Sequence, residues 1–248
     1  MSLSQTEKID LTVEWIRKIV KESGTKGILV GVSGGIDSAV VACLIKKAFP
    51  ENSVGVILPC KSNPKDEADA QALIETCGID SMRIDLSETH ELLFSKIEEA
   101  LSDKQVGFRK LADANLRARL RMSTLYGIAN ALGYLVAGTD NKAEIHTGYY
   151  TKYGDGGVDL VPLANLLKSE VYEWARILGV PQSILDRQPS AGLWDGQTDE
   201  DEMGTTYEKI DAFLSGKVIP EKDQSIIDRL HKNSEHKRQM PPAPPLFD

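Results

Sequence analysis

From Gly27 to Phe49 the chain reads GILVGV, then SGGIDS, then AVVACLIKKAF. The first piece is short, mostly apolar and β-branched, as a buried strand requires, and the third has the length and apolar content of a buried helix. The six glycine-rich residues between them leave the chain room only to turn. A strand that passes directly into a helix is the opening of a βαβ unit, and repetition of that unit gives a parallel sheet covered on both faces. Glycines at the turn let another group approach the backbone closely, and the unpaired amides of the first helical turn point outward at an anion. The spacing is neither the Walker pattern, because no lysine precedes Ser38, nor GxGxxG. On spacing alone a plain strand-to-helix turn stays open. Asp37 sharpens the question. A carboxylate about 4 Å from a phosphate repels it by roughly 4 kcal/mol at an effective dielectric of about 20, so a polyphosphate bound here needs a cation between them, and Asp37 becomes a magnesium candidate. The alternative is an acid placed to suit the helix dipole.

The alternation continues along the chain. Ile9, Val13, Ile16 and Val20 form the stripe of an amphipathic helix closed by Gly24. Residues 54–58 read as a second strand; Asn63 and Pro64 then cap and open a helix that stops at Gly78. Residues 83–86 are predicted as a third strand, 88–101 and 108–132 as helices, and 134–137 as a fourth strand. Beyond it the sequence loosens, then residues 166–178 resume helical spacing up to Gly179, and two short helices follow. Residues 189–204 are predicted as a mobile loop and 240–248 as an extended tail. The fold class expected is α/β, a doubly wound, mainly parallel sheet with helices on both faces, in a single domain spanning 1–248. Ligands should sit beyond the carboxyl ends of the strands.

Composition narrows the partners. Lys and Arg number 29 against 37 Asp and Glu, a net charge of -8, which disfavours broad phosphate-backbone binding, so no nucleic acid is expected. No uncharged apolar run reaches the roughly 18 residues of a membrane span. Cys43, Cys60 and Cys77 are odd in number and form no CxxC pair, which speaks against a disulfide framework or a zinc site and leaves the cytoplasm as the expected location.

SGGIDS matches the SGGxDS signature of the N-type ATP pyrophosphatases, which cleave ATP between the α and β phosphates. The later segments GTDNKAE, GYYTKYGDGG, LLKSEVYEWARILGVP, PSAGLWDGQTDEDEMG and HKRQ resemble the NAD synthetase family, and the likeness runs from about Gly31 to Gln239. The turn alone is shared with other SGGxDS ligases; the ordered downstream set is specific. The resemblance implies that deamido-NAD is amidated to NAD with ATP and ammonia through an acyl-adenylate, with magnesium as cofactor. It implies ATP contacts at Gly31, Val32, Ser33, Gly34, Gly35, Ile36, Asp37, Ser38, Thr139, Lys168 and Ser190, a metal site at Asp37 and Glu144, and catalytic roles for Asp37 and Lys168. Deamido-NAD falls to Arg119, Lys152, Asp159, His236 and Lys237.

Each residue also has a plainer reading. Thr139 or Asp140 is as easily the N-cap of a short helix, Glu144 a solvent-facing acid, Lys168 a solvated helix lysine, and residues 236–238 part of a charged tail. Ser190 stands where many members have Thr and keeps the hydroxyl. Arg117, Arg119 and Arg121 diverge by about 200 degrees per step on a helix and cannot all face one site; the likeness selects Arg119 and leaves Arg117 and Arg121 to surface or subunit contacts. Trp194 either covers a closed site or is an exposed loop aromatic. The family further implies a homodimer, and the absence of an activated-cysteine amidase segment favours free ammonia over glutamine. The rivals are another SGGxDS ligase and a noncatalytic nucleotide-binding module.

Overall fold

The computed structural model describes residues 3–104, 107–190 and 198–246. Four parallel strands, β1 (Gly27–Gly31), β2 (Ser53–Ile57), β3 (Asp80–Arg83) and β4 (Tyr134–Ala137), pair in the order β3-β2-β1-β4. Strand direction reverses its lateral drift between β1 and β4, so the crevice beside the end of β1 is the topological switch point at which ligands of such sheets bind.

Both faces of the sheet are covered, which explains why its central strands lack polar alternation. Ile28 and Val30 point into one core with Ala39, Val40, Leu44, Leu163 and Trp174. That face is covered by α1 (Gln5–Ser23), α2 (Ile36–Ala48), α3 (Pro64–Cys77) and α7 (Lys168–Ile177). Leu29, Val54, Val56 and Val136 point the other way into a second core against Ala129, under the long helix α5 (Arg109–Leu132), on which α4 (Ser87–Ala100) packs. Each such fully buried side chain stabilises the fold by about 1.5–3 kcal/mol. A third core, Ala143, Met203, Tyr207, Ile210 and Ile227, joins α6 (Lys142–Thr147), α9 (Asp199–Met203), α10 (Tyr207–Leu214) and α11 (Glu221–Asn233). Two single-turn helices, α8 (Gln182–Leu185) and α12 (Glu235–Arg238), complete the described elements.

The helix signals act as expected. The Ile9, Val13, Ile16 and Val20 stripe is buried and Gly24 closes α1 in the left-handed conformation; Asn63 caps α3, whose first residue is Pro64. The third strand departs from the reading. It is Asp80–Arg83, not 83–86, and all four residues are exposed at the sheet edge. The apolar signal that placed it later belongs to Leu86, which is buried in the second core after the strand has ended. Within residues 189–204 a helix forms at Asp199–Met203, capped by Thr198, so that stretch is not loop throughout; residues 191–197, including Trp194, lie outside the described residues. Beyond it come α10, α11 and the turn of α12 rather than two helices. Residues 240–246 carry no secondary structure.

Candidate active site

The turn after β1 is held by its own serines. Ser33 N donates to Ser38 Oγ at 3.2 Å, Ser38 Oγ donates to the Gly35 carbonyl at 3.0 Å, and Gly35 N donates to Ser33 Oγ at 3.3 Å. Gly34 sits at φ 81, and a Cβ there would lie 2.3 Å from the carbonyl oxygen of Asp66, so both conformation and space require glycine. Gly35 is the N-cap of α2 and makes no side-chain cap hydrogen bond, which leaves the amide end of the helix facing the crevice. Asp37 and Ser38 are thus in the first turn of α2 rather than before it.

A cavity of about 830 Å³ opens there. Gly31, Val32, Ser33, Gly35, Ile36, Asp37 and Ser38 line it, as do Thr139, Glu144, Lys168 and Ser190, and so do Arg119, Lys152, His236 and Lys237. Gly34 backs the turn from outside the lining. Asp159 stands apart: its carboxylate accepts the Tyr126 hydroxyl at 2.9 Å and the Val136 amide at 2.8 Å.

Three of the residues singled out in the sequence meet at the floor. Lys168 Nζ is 2.6 Å from Asp37 Oδ2 and 3.3 Å from Glu144 Oε1, and it lies over the Tyr207 ring, 4.6 Å from its centre. Asn141 donates its side-chain amide to Asp37 Oδ1 at 2.9 Å, and its backbone amide donates to Glu144 Oε2 at 3.0 Å. Asn141, not Thr139 or Asp140, is the N-cap of α6. Burial, then the neighbouring Asp37, push the Glu144 carboxyl up to about 7 against the pull of Lys168. Burial also works against the Lys168 ammonium, but Asp37 and Glu144 outweigh it and hold that cation above its ordinary range. Lys168 opens α7, and Asp211 accepts from the amides of Lys168 and Ser169 at 3.0 and 2.8 Å, which fixes the backbone beneath the side chain.

The far wall is a second cluster. Arg119 reaches the Lys152 carbonyl at 3.3 Å, Lys152 Nζ donates to the carbonyl of His236, and Lys237 Nζ donates to the carbonyls of Gly148, at 2.7 Å, and Tyr150. Four of the five residues predicted for the dinucleotide therefore share one wall. Arg117 and Arg121 are not surface groups. Arg117 is buried and donates to Asp113 at 2.5 Å; Arg121 lines the cavity and donates to the Leu58 carbonyl and Ser62 Oγ, each at 3.0 Å. Arg119 and Arg121, about 200 degrees apart on α5, both reach the cavity, whereas Arg117, only about 40 degrees from Arg121, is buried beside Asp113, so angular position alone does not sort the three.

Several participants were not assigned to the site from the sequence. Tyr207 offers its hydroxyl to Glu144 Oε1 at 3.1 Å and Asp199 Oδ2 at 3.0 Å, and only the fold brings α9, α10 and α6 together. Asp140 and Asp155 also line the cavity; burial pushes both carboxyls up, and for Asp140 the repulsion of Asp155 adds to it. Asp155 lies within the GDGG run, where its being the acid between the glycines was the available clue.

As to a metal, among the described residues no group of three or more His, Cys, Asp or Glu is arranged to hold one. Two carboxylates beside a phosphate turn nevertheless suit magnesium, which takes hard oxygen ligands and fills most positions with water and substrate phosphates.

A doubly wound parallel sheet with a glycine turn at its switch point, a cation and two acids on the floor and a basic far wall defines a phosphate-binding α/β enzyme class. The model of the NAD synthase family matches residues 8–241, and the chain belongs to that family. It is 60% identical over 249 residues to the NH(3)-dependent NAD(+) synthetase of Alkaliphilus oremlandii, with 99% of this chain and 100% of the relative covered. Among solved structures it is similar to the NMN synthetase from Francisella tularensis (TM-score 0.92, 39% identity, 99% of this chain and 100% of that one covered). The NH3-dependent NAD synthetase from Campylobacter jejuni is more distant, with a TM-score of 0.79, 27% identity, and 98% and 100% of the two chains covered.

Proposed function

We propose that this chain amidates deamido-NAD to NAD with ATP and ammonia. The observation that carries the reading is the meeting, in one cavity, of the Asp37, Glu144 and Lys168 floor beside the phosphate turn with the Arg119, Lys152, His236 and Lys237 wall. The nicotinate carboxylate attacks the α-phosphorus of ATP, pyrophosphate leaves, and ammonia displaces AMP from the acyl-adenylate. A carboxylate is a poor acyl electrophile because oxide is a poor leaving group; the mixed anhydride offers AMP instead. No nucleophilic side chain is required. The residues of the chain position two anionic substrates and offset charge. Residues 31–38 and Thr139 take the ATP end, Lys168 meets charge developing on the pyrophosphate, and the far wall takes the second nucleotide. Ser190, at the cavity edge, adds a hydroxyl on the ATP side. Asp159, which lies outside the cavity lining and is held by the Tyr126 hydroxyl and the Val136 amide, would have to move toward the cavity to join the substrate. Magnesium would be held by Asp37 and Glu144, where it supplies neutralisation of the β and γ phosphate charge.

The chain acts as one domain, because α10 packs on both α6 and α7 and so ties the third core to the helices that cover the sheet. It works in the cytoplasm, which three free thiols support; no helix among the described residues is long and apolar enough to cross a membrane. It pairs as a homodimer through α4 and the start of α5, where Leu92, Phe108 and Leu111 are 62%, 78% and 55% exposed.

A second reading is favoured by one observation, the close structural match to a protein named for NMN synthesis: the acid is then the mononucleotide, nicotinate ribonucleotide. The test follows pyrophosphate release and amide formation with ATP, ammonium and either nicotinate nucleotide. Faster turnover of the dinucleotide is expected. A preference for the mononucleotide establishes the second reading, and no pyrophosphate from either defeats both in favour of a noncatalytic module.

A further inference from the structure

Lys168 is held in an unusual place for a residue awaiting phosphates. Its ammonium lies between the two carboxylates best placed to hold the metal, 2.6 Å from Asp37 and 3.3 Å from Glu144, with only 4% of the side chain exposed. Tyr207 covers it from a third side with its ring. The backbone beneath it cannot shift freely, because Asp211 clamps the amides of Lys168 and Ser169; the four-carbon stem can.

We propose that Lys168 is a resident stand-in for the divalent cation: it fills the Asp37–Glu144 site in the free enzyme and leaves it only when incoming phosphates offer the ammonium a new anionic partner. The inference rests on the reading of Asp37 and Glu144 as the metal site. Its physical basis is charge balance. Two carboxylates this close and this poorly hydrated repel each other, and one buried cation relieves them. A divalent ion entering alone must either evict the ammonium, leaving a buried cation unpaired, or share the site with it at like-charge cost. A metal arriving with a polyphosphate meets neither difficulty, since the phosphate oxygens accept the displaced ammonium on the same side of the cavity. Metal and nucleotide therefore bind with positive coupling, and the enzyme discriminates against metal without nucleotide.

The test measures Mn2+ binding to the full-length protein by electron paramagnetic resonance, with and without α,β-methylene-ATP, which cannot be cut between its α and β phosphates. In the unaltered protein the analogue is expected to tighten Mn2+ binding beyond its own solution affinity for the ion, by about tenfold or more. In Lys168→Met, Mn2+ alone is expected to bind about tenfold more tightly than to the unaltered protein, and the coupling to shrink. Lys168→Gln, which keeps a polar head without the charge, should behave in the same way. Unchanged Mn2+ affinity in a folded Lys168 variant overturns the inference. Purely additive binding of metal and analogue to the unaltered protein does so as well, and needs no variant to fold. Failure of the protein to bind the analogue at all is a different result: it removes the reading of the site, and this inference with it.

Discussion

At the scale of single residues, the floor of the cavity sets the firmest expectations. Asp37→Asn and Glu144→Gln each remove one of the two acids proposed to face the phosphates, so kcat/KM should fall by about 100-fold or more, while folding is weakened less, because relief of the repulsion between the two carboxylates offsets part of what the buried Lys168 ammonium loses as an ion-pair partner. Steady-state kinetics beside thermal denaturation checks both halves. A second expectation concerns Cys77. Its hydrogen bond from the Cys43 thiol lowers its pKa to about 7, whereas Cys43 and Cys60 are buried and pushed up. Near neutral pH one thiol per chain, Cys77, should react quickly with a maleimide and the others slowly, as mass spectrometry of the labelled peptides would reveal. Much of the site was legible at this scale, since SGGIDS and the lysine and histidine motifs bring their residue types with them. What was not legible is position in space. Tyr207 and Asp199 reach Glu144 through contacts made between helices, and Arg121 looks in sequence like any other arginine of its helix.

Among the elements, the turn between β1 and α2 is the most tightly specified. Gly34→Ala forces a side chain into a left-handed position and against the Asp66 carbonyl. The strained conformation alone should cost about 1–3 kcal/mol, and the clash should push the turn and the first residues of α3 apart. Denaturant unfolding and ATP-analogue binding should both weaken. Most elements could be read from the sequence because caps and glycines are local signals: Gly24, Asn63, Gly78 and Gly133 each end or begin a helix where expected. β3 could not, because an exposed edge strand owes its conformation to hydrogen bonds with β2 and leaves no apolar trace of its own. The short helix α9 was hidden likewise, its acidic run reading as loop although Thr198 supplies its cap.

For the whole molecule, two measurements bear on assembly and acid stability. The apolar side chains of α4 and α5 predict a two-fold dimer at micromolar concentration in sedimentation, and Phe108→Glu with Leu111→Glu should shift it to monomer. His90 lies fully buried between those helices, and burial holds its pKa below the ordinary 6.5 despite the pull of Asp113. The unfolded chain takes up that proton and the folded one resists it, so stability present above about pH 6.5 is lost as the pH falls below it. Melting temperature measured from about pH 7.5 to about pH 5 should drop, and the drop should be shallower in His90→Gln. One feature of the architecture also bears on how the protein is made. Gly31 and Lys237 face the same cavity, with Lys237 fastened to the carbonyls of Gly148 and Tyr150. During synthesis the sheet and its phosphate turn leave the ribosome well before α11 and α12 do. A growing chain therefore cannot close the two walls of this cavity on each other until its last helices have been made.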